Sequence, residues 1–210
     1  MDKKGILFDL DGTLINSYES INIKQVLSEL KTVHTALILK LIKSRVRSFA
    51  EMEQKIIEEV ESREEADELI RRISDFLLEH YDNAPLKKDA LTFLQYLKDK
   101  NYKICLCTNN ATDVVSHIIK EKNIAEYFDY IVTSQQVTKA KPDPQMYLEA
   151  LHSIGFSAQE CMVFEDTETG VLAAQNAGIE VIVVNDKEKR KFNECLVIKD
   201  FSDPRLYEIF

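Results

Sequence analysis

The polarity pattern changes twice along the chain. A short apolar run, Gly5-Ile6-Leu7-Phe8, ends abruptly at Asp9 and Asp11, followed by Gly12-Thr13. This reads as a strand running into a turn. From Ser17 to Tyr81 there is no Gly and no Pro, and helix formers dominate. Apolar residues recur there at helical spacing: Ile23, Val26, Leu27 and Leu30, then Leu37 and Leu41, later Ile56 and Val60, then Leu69, Ile73, Phe76 and Leu77. Ser48-x-x-Glu51 and Ser62-x-x-Glu65 have the form of reciprocal helix caps and predict two helix starts. The segment is therefore a helical module, small enough to need a neighbour to rest on.

Beyond Asp89 the pattern alternates. Helices are predicted at about 88–100, 112–122 and 144–154, and one closing at Ala177-Gly178. Between and after them lie apolar strand-like runs at Lys103–Cys107, Tyr130–Thr133, Cys161–Phe164 and Glu180–Val184, and a weaker one at Cys195–Ile198. Pro142 and Pro144 introduce the third of these helices and Pro204 a terminal one. Strands alternating with helices imply an α/β fold, a mainly parallel sheet covered on both faces. In such sheets ligands bind beyond the carboxyl ends of the strands.

Composition narrows the function. With 210 residues, 45% hydrophobic and 30% charged, the chain has room for one large domain or one carrying a smaller insert. A net charge of −9 argues against nucleic-acid or anionic-membrane partners, which need a basic surface. It does not argue against a phosphate ligand, because one lysine and a metal ion can reverse the local sign. Lys3 and Lys4 precede too short an apolar stretch for a signal peptide, and no run approaches a membrane span. Cys105, Cys107, Cys161 and Cys195 sit in or beside apolar runs without zinc spacing. They read as reduced buried thiols, the expectation for a cytoplasmic protein.

The polar residues at the predicted strand ends are the candidate chemistry. Residues i and i+2 of a strand share a side, so Asp9 and Asp11 project together if the strand geometry persists. Two such carboxylates repel, and a site that keeps both adds a cation or shares a proton. The second strand ends at Thr108-Asn109-Asn110, the fourth at Glu165-Asp166, and the third is followed by Lys139-Ala140-Lys141-Pro142. Each alone has a plainer explanation: a helix cap, a solvated lysine, acidic residues at a helix start. Converging on one sheet edge, they suit phosphate and metal chemistry together. His34, His80, His117 and His152 fall in predicted helices, without ligand spacing to one another.

Taken together, these motifs resemble the haloacid dehalogenase superfamily, in its phosphoglycolate phosphatase and β-phosphoglucomutase-like branch. Asp9-Leu10-Asp11-Gly12-Thr13-Leu14 is similar to its first motif, Thr108-Asn109 to its second and Lys141-Pro142-Asp143-Pro144 to its third. Phe164-Glu165-Asp166-Thr167-x-x-Gly170, with Ala173-Ala174-x-x-Ala177-Gly178, is similar to the fourth. The resemblance implies a Rossmann-like three-layer core of residues 1–15 and 84–210, with an inserted all-α cap at 16–83. It implies a phosphoric monoester hydrolase that uses Mg²⁺ and acts on a small phosphorylated metabolite. Asp9 would be the nucleophile, and Asp11 the acid and then the base. Thr108, Asn109 and Lys141 would hold the phosphoryl oxygens. Asp9, the backbone carbonyl of Asp11 and Asp166 would hold the metal, with Glu165 ligating directly or through water. Asn16 stands where many members carry Asp, which leaves fine substrate preference open. A sugar-phosphate mutase is the alternative within the same chemistry. Phospho-acceptor receiver modules share the Asp, Thr, Lys and Mg²⁺ but are shorter and carry no inserted cap. Arg45 and Arg47 read either as a substrate-phosphate contact or as solvated helix charges.

Overall fold

The computed structural model describes residues 3–17, 26–28, 34–43, 49–185, 192 and 194–210. Six parallel strands form one sheet in the order β3-β2-β1-β4-β5-β6. They are β1 (Gly5–Phe8), β2 (Lys103–Cys107), β3 (Tyr130–Val132), β4 (Cys161–Glu165), β5 (Glu180–Val184) and β6 (Leu196–Ile198). The first strand is central, with Gly5 in register with Lys103 on one side and Cys161 on the other. Its burial is complete on both faces, which is why it reads as a continuous apolar run and not an alternating one.

Period-2 geometry sends neighbouring residues to opposite faces. Ile6 and Phe8 join a cluster with Phe93 and Leu94 of α4 (Ala90–Asp99) and Val115 and Ile118 of α5 (Thr112–Glu121). Leu7 joins another with Tyr147 and Ala150 of α6 (Gln145–Ile154) and Ala173 and Ala174 of α7 (Glu168–Asn176). Phe8 stacks on Phe164 at 4.8 Å between ring centroids, directly beneath the carboxyl edge of the sheet. The short α8 (Leu206–Ile209) closes the chain. It starts two residues after Pro204, slightly later than the sequence suggests.

Between β1 and α4 lie α1 (Thr35–Lys43), α2 (Phe49–Glu59) and α3 (Arg63–Asn83). They have an apolar cluster of their own, including Ile38, Ile56, Ala66 and Leu69. Ser62 caps α3 by accepting the Glu65 N–H at 3.4 Å; Ser48, like Ile23 and Leu30, lies outside the described residues. The two crossings between this module and the sheet run side by side. Asn16 N–H donates to Pro85 O at 2.9 Å, Lys87 N–H to Leu14 O at 2.8 Å, and Ile15 bridges Leu86 antiparallel. Among the described residues, no helix is long and apolar enough to cross a membrane.

Candidate active site

The strand order gathers the polar loops. With β1 central and β2 and β4 beside it, the segments after Phe8, Cys107 and Glu165 open at one edge. The strand does not persist to Asp11: β1 ends at Phe8, and the backbone turns through Gly12 at φ 78°, a left-handed value that a side chain disfavours. Gly12 N–H donates to Ile15 O at 2.7 Å, and Leu14 and Ile15 N–H both donate to Leu10 O. Asp9 and Asp11 therefore take different partners.

Lys141 is the hub on the Asp9 side. Its Nζ, buried with the residue only 3% exposed, donates to Asp9 Oδ1 at 2.7 Å, Glu165 Oε1 at 2.7 Å and Cys107 O at 2.8 Å. All three ammonium protons are thereby used. Glu165 is as fully engaged. Its Oε1 also accepts from Tyr147 OH at 2.9 Å, and its Oε2 from Asp166 N–H, Thr167 N–H and Thr167 Oγ1 at 3.0, 3.3 and 3.2 Å. Gly170 makes room for it: a Cβ there would lie 1.9 Å from the Glu165 carboxyl carbon.

Asp11 faces elsewhere. Its Oδ2 accepts from Asn110 Nδ2 at 2.6 Å, and the same amide donates to Tyr81 OH at 3.1 Å. Thr108, 1% exposed, donates its N–H to Val132 O at 3.0 Å, and its Oγ1 accepts from Asn110 N–H at 3.2 Å. The hydroxyl proton of Thr108 thus stays available for another acceptor.

Among the described residues, four carboxyl groups share this edge with one ammonium. Burial first, then Glu165, raises Asp9 well above the ordinary carboxylate range, against the pull of Lys141. Asp166 is pushed up to about 9 by burial, then by Asp9, Glu165 and Asp11. Burial also raises Asp11, opposed by hydrogen bonds from Ser17, Tyr81 and Asn110. For Lys141, burial acts downward, yet Asp9 and Glu165 outweigh it and hold the ammonium well above its usual value. Such crowding calls for more positive charge than Lys141 supplies.

The donor set fits a hard divalent cation. Asp9, Glu165 and Asp166 each bring a carboxylate oxygen within 4.8 Å of the others. Among the described residues, Asp166 Oδ1 has no hydrogen-bond partner although it is buried, an orphaned anionic oxygen of the kind that a cation satisfies. Every side-chain donor in the cluster is oxygen, which suits Mg²⁺ better than a softer metal.

Of the residues singled out from sequence, Asp9, Lys141, Glu165 and Asp166 lie together, and Thr108 is buried at the end of the neighbouring strand. Asn109 lies next to Thr108, half-buried, but the amide that reaches Asp11 belongs to Asn110. Arg45 and Arg47 lie outside the described residues. Two tyrosines were missed. Tyr81 and Tyr147 sit at core-facing positions of helices, where an aromatic residue signals packing, and only the tertiary arrangement reveals where each hydroxyl ends.

A six-stranded parallel α/β sheet carries this carboxylate-lysine cluster at its carboxyl edge, an arrangement suited to a hydrolase that acts on phosphate with a metal ion. The model of the haloacid dehalogenase-like hydrolase family matches residues 6–184, and the chain belongs to that family. Pyrophosphatase PpaX of Bacillus cereus is 29% identical over 190 residues, covering 86% of this chain and 82% of its own. The crystal structure of a predicted phosphoglycolate phosphatase from Haemophilus somnus matches with a TM-score of 0.77 at 21% identity over 99% of each chain. That of CbbY from Rhodobacter sphaeroides in complex with phosphate matches at 0.75 and 18%, over 96% of each. At these identities the two structures speak for the fold.

Proposed function

We propose that the chain is a Mg²⁺-dependent phosphatase that hydrolyses a small phosphorylated metabolite through an aspartyl-phosphate on Asp9. The observation that carries this reading is the Asp9 carboxylate, held at Oδ1 by a buried Lys141 and facing the unpartnered Oδ1 of Asp166 across an all-oxygen cluster. With one oxygen tied to Lys141, Asp9 keeps Oδ2 for phosphorus. Attack forms the Asp9–phosphorus bond and breaks the bond to the leaving oxygen, which takes a proton from Asp11. Asp11, now a base, removes a proton from water; the water oxygen attacks phosphorus, and the bond to Asp9 breaks, releasing inorganic phosphate. The Thr108 hydroxyl would donate to a phosphoryl oxygen, and Lys141, its three protons already engaged, would add positive charge beside the oxygens where the charge of transfer accumulates.

Bound Mg²⁺ supplies positive charge that keeps Asp9 ionised and offsets the phosphoryl oxygens. Asp9, Asp166 and the backbone carbonyl of Asp11 would hold it. Glu165, both of whose oxygens are already engaged, acts mainly by fixing Lys141. The helices α1–α3 serve as a cap over the site, hinged at the paired crossings 14–17 and 84–87. The buried thiols Cys105, Cys107 and Cys161 suit a reducing compartment such as the cytoplasm.

The similarity to a pyrophosphatase supports testing pyrophosphate beside phosphoglycolate and sugar phosphates. Purified protein with Mg²⁺ should release inorganic phosphate from at least one of them. Formation of an isomeric sugar phosphate much faster than phosphate release would transfer the assignment to a mutase. Inertness toward the whole panel would remove the phosphatase reading.

A further inference from the structure

Three consecutive residues at the end of α3 each reach a different part of the molecule. His80 Nε2 bonds Ser17 O at 2.7 Å, on the first crossing. Asp82 meets α5 twice: its Oδ1 bonds His117 Nε2 at 2.8 Å, and its backbone O accepts from Lys122 Nζ at 2.9 Å, just past the helix end. Between them Tyr81, 7% exposed, places its hydroxyl oxygen where it accepts from the Asn110 amide, the same amide that donates to Asp11. Successive helical positions point about 100° apart, so one turn can engage three directions at once.

We propose that Tyr81, with Asn110, is a positioning residue for Asp11, so that the proton-transfer geometry of the site is completed by α3 and not by the sheet alone. The inference rests on the reading of Asp11 as proton donor and acceptor. A carboxyl beyond the end of its strand and just before a glycine turn has no ladder to fix it. The Nδ2–Oδ2 bond at 2.6 Å helps to orient it, and Asn110 is steadied in turn by the 3.1 Å contact with Tyr81 OH. His80 and Asp82 hold that turn of α3 to the first crossing and to α5. Undocking of α3 would withdraw Tyr81 from Asp11, making proton transfer conditional on the docked helix.

The test uses the full-length protein with Mg²⁺, comparing Tyr81→Phe, Asn110→Ala and wild type on phenyl phosphate and 4-nitrophenyl phosphate. Phenolate is the poorer leaving group and depends on a well-placed acid; 4-nitrophenolate leaves almost unaided. In kcat/KM, which reports the steps through cleavage of the ester, Tyr81→Phe should lose about tenfold on phenyl phosphate and less than about twofold on the nitrophenyl ester, with KM unmoved. Asn110→Ala should show the same selectivity with a larger loss. Equal losses on both esters, or none on either, would overturn the proposal while leaving the phosphatase reading intact if Asp9→Asn remains inactive. Full activity of Asp9→Asn, or a wild type inert toward both esters and toward the substrate panel alike, would take down that reading and this proposal together.

Discussion

Gly170→Ala tests the packing of the site without reference to its chemistry. Gly170 lies in the first turn of α7, where Ala is the better helix former by about 1 kcal/mol. No positive φ is recorded there, so backbone conformation gives no reason for glycine. Opposing the gain, the added Cβ would fall 1.9 Å from Glu165 Cδ and Oε1 and 2.2 Å from Oε2. A carboxylate ends a flexible side chain and can usually swing aside. This one is 1% exposed and accepts from five donors, including the Lys141 ammonium. Hydrogen bonds to a charged group contribute about 1.5–3 kcal/mol each, so loss of two costs about 3–6 kcal/mol. The clash therefore wins, and a net destabilisation of about 2–5 kcal/mol is expected. For a chain of this length that lowers Tm by roughly 5–15 °C. Thermal unfolding of both proteins in EDTA, followed by circular dichroism, reads the effect free of metal binding. A variant that melts at or above the wild-type temperature would show that Glu165 is not pinned against Gly170, and with it would go the fixed Lys141.

Asp9→Asn should keep the fold and lose at least about a thousandfold in turnover, since the nucleophile goes while side-chain size is kept; residual activity above that level would exclude Asp9 as nucleophile. Hydrolysis should require Mg²⁺, stop in EDTA and recover poorly with Ca²⁺, whose longer bonds and looser geometry misplace the carboxylates. Asp166→Ala should raise the Mg²⁺ concentration needed, and an unchanged metal dependence would refute its place among the ligands. Without metal, burial and the neighbouring carboxylates push Asp166 up to about 9 in the folded protein, far above the ordinary carboxylate range of the unfolded chain. Over that window the folded state holds a proton that the unfolded chain has released, so stability in EDTA should fall as pH rises. Asp166→Asn should flatten the fall. A metal-free Tm that climbs through the same window would contradict the crowding of these carboxylates.

Much of the fold was legible because its signals are local. Strands Lys103–Cys107 and Glu180–Val184 were marked by continuous apolar runs, since a strand buried on both faces needs no polar alternation. The helix ending at Ala177-Gly178 was marked by its glycine, which takes φ 75° in the structure. The strand-end positions of Asp9, Thr108, Glu165 and Asp166 followed from the same local reading, because a parallel sheet collects such ends on one edge. What lay beyond the sequence were contacts between residues far apart in the chain. Nothing local states that Lys141 spends its three protons on Asp9, Glu165 and Cys107 O, or that Asn110 and not its neighbour meets Asp11. Period-2 reasoning paired Asp9 with Asp11, yet the turn at Gly12 sends them to different partners. Tyr81 and Tyr147 carried only the sign of core aromatics, since periodicity reports which face of a helix is buried but not what the end of a long side chain reaches. Hydrophobic pattern is written residue by residue and survives in one dimension; partner choice depends on distances that exist only once the strand order brings β2 and β4 to either side of β1.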